Sequence, residues 1–209
     1  MGDSIFAIFD NKFRLFFMTN IPFLLIYSRI IIGFVILVLA FVTIPHKSET
    51  VVALMVIGLL TDVFDGIIAR KLNVASEKLR VWDSNVDQFF WLSVLFTVFY
   101  SNQDFLFANW FWIALIVLLE ASCYIISYIK FKKPIATHSY MAKLWTLSLL
   151  AFLIDLSLNA NSTYVFWICI FLGILSRAEI ILIILRLKHW ATDVSSIGSV
   201  KSINDKYNR

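Results

Sequence analysis

"TVVALMVIGLLTDVFDGIIARKLNVASEKLRVWDSNVDQFFWLSVLFTVFYS", residues 50–101, places two apolar stretches on either side of a charged connection. Residues 50–70 and 84–101 each approach the ~20 residues that carry a helix across a ~30 Å hydrocarbon layer. Asp62, Asp65, Asp83 and Asp87 nevertheless lie in or beside them. Ionisable side chains are costly in such segments and mark functional sites by default. The stretch therefore fixes the fold class and shows where chemistry is to be sought.

Composition extends that reading to the whole chain. Of 209 residues, 60% are hydrophobic and 16% aromatic, and only 15% are charged, against about 25% in ordinary soluble domains. A soluble fold could not bury that much apolar surface. The expected architecture is all-α and polytopic, with six transmembrane helices near 21–43, 50–70, 84–101, 108–129, 139–158 and 163–186. Short connections make neighbouring helices antiparallel. Residues 1–20 place Phe6, Phe9, Phe13, Phe16 and Phe17 near one helical face, with Asp3, Asp10, Lys12 and Arg14 mostly off it. That pattern suits an amphipathic helix lying in the membrane interface. Three segments result: the interfacial helix 1–20, a six-helix membrane domain 21–188 and a polar tail 189–209. The first span is too long for a signal-peptide core, and no small-residue cleavage site follows it.

Basic residues set the orientation. Lys12 and Arg14, then Arg70, Lys71, Lys78 and Arg80, then Lys130, Lys132 and Lys133, and finally Arg186, Lys188, Lys201, Lys206 and Arg209 all fall on one side of a six-span topology; the opposite loops hold only Lys47. The positive-inside rule makes the basic side cytoplasmic, together with both termini and the aspartates. The net charge of +4 is thus a matter of topology and lipid headgroups. It forms no separate basic patch, and nucleic acid is excluded as a partner. Cys123 and Cys169 lie in apolar spans far apart in sequence and read as small buried residues.

Helical geometry turns the aspartate spacing into a surface. At ~100° per residue, with Asp62 at zero, Asp65 falls at about −60°, Ala69 at about −20° and Gly66 at about +40°. Asp83 and Asp87, four apart, share a face of the next helix. A loop of about a dozen residues lets the two faces meet at the edge of the bundle. Carboxylates converging there need cations, and Arg70 alone is too little. An all-oxygen donor set without thiol or imidazole suits hard ions such as Mg²⁺ or Mn²⁺, which bridge to phosphates. Gly66 and Ala69 leave bare backbone beside the acids, either for a ligand lying close to the helix or as a helix-packing strip.

Asp62-x2-Asp65-Gly66-x2-Ala69-Arg70, followed by Asp83-x3-Asp87, resembles the signature of the CDP-alcohol phosphatidyltransferases, D-x2-D-G-x2-A-R-x8-G-x3-D-x3-D. Every fixed position is present except the second glycine, where Leu79 stands. The resemblance covers the whole chain, because six spans, an amphipathic N-terminal helix and a cytoplasmic-side motif are also the family's plan. "IPFLLIYSR", Ile21 to Arg29, is similar to the "IPNLLTLLR" that often opens the first span, with Phe23 in place of Asn. "AKLWT", Ala142 to Thr146, is similar to the "GKxKT" of some phosphatidylglycerophosphate synthases, with Ala142 and Trp145 in place of Gly and the second Lys.

The resemblance implies metal-dependent transfer of a substituted phosphoryl group from a CDP-alcohol, CDP-diacylglycerol foremost, to an acceptor hydroxyl, with CMP leaving. It implies a two-metal site on Asp62, Asp65, Asp83 and Asp87, Asp87 also acting as the base, and a homodimer. Asp62, Gly66, Ala69 and Arg70 would bind the CDP moiety; Arg70 serves equally as a plain helix-end charge. Arg29, Glu120, Lys143, Arg177 and Glu179 lie at a similar depth in their spans and suggest a polar cavity. Lys143 and Arg177 are the candidates for an anionic acceptor such as a phosphorylated polyol. Glu120 has two candidate ion-pair partners, Arg29 and Arg177. A catalytically silent CDP-lipid-binding relative is the alternative, on the strength of Leu79. An ion-coupled transporter is a third reading, but it would need Gly/Pro-broken spans in matching halves of the chain, and none is visible.

Overall fold

The computed structural model describes residues 2–72, 77–133, 139–191 and 194–207, leaving aside the side chains of 2–20, 22, 69, 70, 77–81, 84, 206 and 207. Among the described residues there are eight helices and no strand: α1 (Gly2–Phe41), α2 (Lys47–Lys71), α3 (Glu77–Ser101), α4 (Gln103–Ala108), α5 (Trp110–Phe131), α6 (Tyr140–Asn159), α7 (Tyr164–Arg186) and α8 (Ser199–Tyr207). Five of them are long and apolar enough to cross a membrane: Phe23–Phe41 of α1, Lys47–Ile68 of α2, and α5, α6 and α7. These match five of the six expected spans. The sixth, at 84–101, is helical within α3 but falls outside the set, since Asn85, Asp87 and Gln88 dilute its apolar character. Helix α1 continues unbroken through Pro22, which supplies no backbone donor, so the first twenty residues and the first span form one helix.

The chain divides into two compact units, Met1–Ser101 and Asn102–Arg209. In the first, α1 packs against both α2 and α3. Its inward stripe is Ile26, Arg29, Gly33, Ile36 and Ala40, all buried, at the alternating three- and four-residue spacing of a helix face. From α3, Val86, Phe90, Val94 and Val98 are buried, and Thr97 donates its hydroxyl hydrogen to the Ile36 carbonyl at 2.9 Å. A Cβ at Gly58 of α2 would fall 2.3 Å from Phe90 Cζ, so glycine is what allows the α2 backbone to lie against that ring. The outward stripe of α1 is apolar as well: Ile31, Phe34 and Phe41 are each more than 60% exposed. Large apolar side chains facing outward along a helix of this length are suited to lipid.

In the second unit α7 packs against both α5 and α6. Gly173 of α7 receives the indole of Trp145 from α6, whose Nε1 would lie 2.7 Å from an added Cβ. Lys130, at the end of α5, donates to the Ile184 and Leu185 carbonyls at 2.9 and 2.7 Å, capping the negative end of α7. Part of the region read as a polar tail is folded. Val194 and Val200 are buried with Ile183 and Leu187, with Ile197 and Ile203 packed against them. The Asn204 side chain accepts from the Lys188 amide at 2.9 Å and donates to the Arg186 carbonyl at 3.0 Å.

Candidate active site

The acidic residues of the first unit converge as their spacing requires. Helix α2 carries Asp62 and Asp65 one turn apart, and α3 carries Asp83 and Asp87 one turn apart. One carboxylate oxygen from each of Asp62, Asp83 and Asp87 lies within 4.8 Å of the others. Those three side chains are about one-third exposed, whereas Asp65 is buried, at 4%. Asp65 therefore forms the closed floor of a bowl whose rim is the other three. Two full negative charges at such a separation repel by about 3 kcal/mol at an effective dielectric of about 20. The arrangement therefore requires positive charge.

Part of that charge comes from a residue whose role the sequence had left undecided. Arg29 of α1, only 1% exposed, reaches all four acids. Its Nη1 donates to Asp62 at 2.9 Å and also to Asp87, while its Nη2 donates to Asp65 and Asp83. One guanidinium against four acids still leaves an excess of carboxylate oxygens over cationic donors. The donors are all hard oxygens, and an ion with ~2.1 Å bonds accepts oxygens about 3–4 Å apart, within the spread of the rim carboxylates. The residues present fit Mg²⁺ or Mn²⁺.

Other expected site residues are placed as follows. Gly66 is partly buried on α2, one residue after Asp65. The side chains of Ala69, Arg70 and Leu79 lie outside the described residues. Lys143 and Arg177, the acceptor candidates, belong to the second unit. Lys143 is exposed, its Nζ 5.7 Å from the ring centre of Tyr140. Arg177 is buried and forms an ion pair with Glu120, which decides between the two partners open to that glutamate. Trp145 covers the same guanidinium, with its ring centre 4.0 Å from the Arg177 Cζ, a cation–π contact. That contact gives a structural role to the tryptophan standing where the similar motif carries lysine.

Apolar helices of spanning length, with a carboxylate bowl formed by D-x2-D and D-x3-D on consecutive helices, define the class: a membrane protein with an acidic site set among its helices. The sequence model for CDP-alcohol phosphatidyltransferase matches residues 19–175, and the chain belongs to that family. The match takes in Arg29 and all four aspartates. Family membership and the five apolar helices together make it an integral membrane protein of phosphatidyl transfer from CDP-alcohols. No curated protein and no solved structure matches the chain.

Proposed function

We propose that this protein transfers a substituted phosphoryl group from a CDP-alcohol, CDP-diacylglycerol foremost, to an acceptor hydroxyl in phospholipid synthesis, releasing CMP. The observation that carries the reading is the convergence of Asp62, Asp83 and Asp87 oxygens within 4.8 Å in a chain of this family. Two divalent ions, Mg²⁺ or Mn²⁺, bound among Asp62, Asp65, Asp83 and Asp87 would neutralise the charge that builds up as the pyrophosphate breaks.

The chain's own residues have the remaining roles. Asp87 takes the proton of the acceptor hydroxyl as its oxygen bonds to the phosphorus, and the phosphorus–oxygen bond to CMP breaks. Asp62, Gly66, Ala69 and Arg70 of α2 are the candidates for binding the CDP moiety. Glycine and alanine there leave the backbone open to the ligand. The acceptor is an alcohol, phosphorylated or not.

The topology we assign has six spans, α3 supplying the sixth, with both termini and the aspartates on the cytoplasmic side where the basic loops fall. Helix α1, at 40 residues, is about 60 Å long, twice the hydrocarbon thickness. Its apolar half, Phe23–Phe41, is long and apolar enough to span the membrane; residues 1–20 would lie in the interface as the amphipathic segment only with a bend in the helix at the membrane surface, for which Pro22 is the place. Membrane lipids surround the chain, and a homodimer is the assembly the family resemblance implies.

The test is direct. Purified protein with CDP-diacylglycerol, Mg²⁺ or Mn²⁺ and a panel of acceptor alcohols is expected to release CMP with at least one of them. Tight CDP-lipid binding without CMP from any acceptor would make the chain a silent relative instead.

A further inference from the structure

We propose that Arg29 is the resident counter-ion of the carboxylate bowl, and that divalent ions must displace it to enter. This inference rests on the metal site of the proposed function. The guanidinium's two terminal nitrogens carry four hydrogens, and four aspartates from two helices accept from them. No terminal N–H is left over. One carboxylate oxygen of each of Asp62, Asp83 and Asp87, the three acids whose oxygens come within 4.8 Å of one another, already accepts from it. The cation and an incoming ion therefore claim the same small volume.

Burial makes the arrangement self-consistent. An arginine at 1% exposure in an apolar span needs charged partners, and four carboxylates without a cation would drive α2 and α3 apart. Arg29 thus answers both needs while the ions are absent, joining α1, α2 and α3 through one planar fork. A planar fork with several directed donors can do this, whereas a lysine ammonium, a compact point charge on one flexible stem, cannot span the same four acceptors. Four acids facing one guanidinium keep the bowl attractive to divalent ions, so the guanidinium holds the site closed without satisfying it. Its cost to ion binding follows from population: a site occupied nine-tenths of the time by its own arginine binds an ion about tenfold more weakly than an open one.

Mn²⁺ binding to the full-length protein in detergent, counted by the loss of the free-ion electron paramagnetic resonance signal without any CDP-lipid, tests this apart from turnover. Arg29→Gln is expected to tighten Mn²⁺ binding by about tenfold or more, and Arg29→Lys by a smaller factor. The lysine variant separates occupancy from charge: it keeps the charge and loses the fork, so a purely long-range effect would leave it equal to wild type. Metal-free Arg29→Gln is also expected to melt at a lower temperature than wild type and to gain more from saturating Mn²⁺. Unchanged or weaker Mn²⁺ binding in both variants overturns the proposal while leaving the metal site standing. Absence of Mn²⁺ binding in wild type and both variants overturns the metal site as well. Should the variants not fold, wild-type structures with chelator and with Mn²⁺ decide the matter. The guanidinium is expected to leave the rim carboxylates when the ion is present; an ion seated with Arg29 still on all four acids would overturn the proposal.

Discussion

Two arginines are buried among the described residues, and their surroundings differ in a way that separates a site from a support. Arg29 in the first unit faces four carboxylates on two helices. Arg177 in the second has one acidic partner among the described residues, Glu120, and an indole laid over its face. Charge balances in the second case: one cation, one anion and an aromatic cover are complete within themselves. In the first it does not: four acids face one arginine, an excess that further cations would offset. The size of the imbalance, more than the burial of either arginine, points to chemistry.

The most severe way to break this contrast is Asp87→Asn. It removes the proposed base and one of the proposed metal ligands while Arg29 keeps three aspartate partners. CMP release is expected to fall by about a hundredfold to ten-thousandfold, with helical content by circular dichroism unchanged. Turnover close to wild type would remove Asp87 from the mechanism. The contrast is sharpened next by Gly58→Ala, since the new methyl would overlap Phe90 in the first unit. Overpacking of this kind costs about 1–3 kcal/mol, read as a lower melting temperature in detergent.

Glu120→Gln probes the balanced pair. Glu120 is 40% exposed, so loss of its charge is expected to cost about 1–2 kcal/mol, between the limits for exposed and buried pairs. Mn²⁺ affinity is expected to stay at the wild-type value. A large change in that affinity would erase the distinction between the two arginines. The smallest effect is expected from Lys130→Met, which removes the cation capping α7 and should lower stability by about 0.5–1 kcal/mol.

What the sequence disclosed follows the range of the interactions. The pairing of Asp62 with Asp65 and of Asp83 with Asp87 depends on spacing within one helix, and a short connection brings the two faces together; both could be read directly. Five apolar spans were legible for the same reason, since length and composition are local. Arg29 joins acids 33 to 58 positions away, and nothing in local spacing says that α1 lies over both α2 and α3. The available signal was the requirement itself: a lone arginine in an apolar span needs acids, and α2 with α3 held more acids than Arg70 could balance. The buried part of the C-terminal region left a fainter mark. Val194, Ile197, Val200 and Ile203 recur every third residue, but serines, a glycine and a lysine between them make the segment read as a polar tail.

Anomalous scattering from crystals of the full-length protein grown with Mn²⁺ bears most directly on whether the bowl is a metal site. The expected result is a manganese peak bonded to oxygens of Asp62, Asp83 and Asp87 at about 2.0–2.2 Å. A bowl without manganese at saturating Mn²⁺, its four carboxylates turned to separate neighbours, would contradict it.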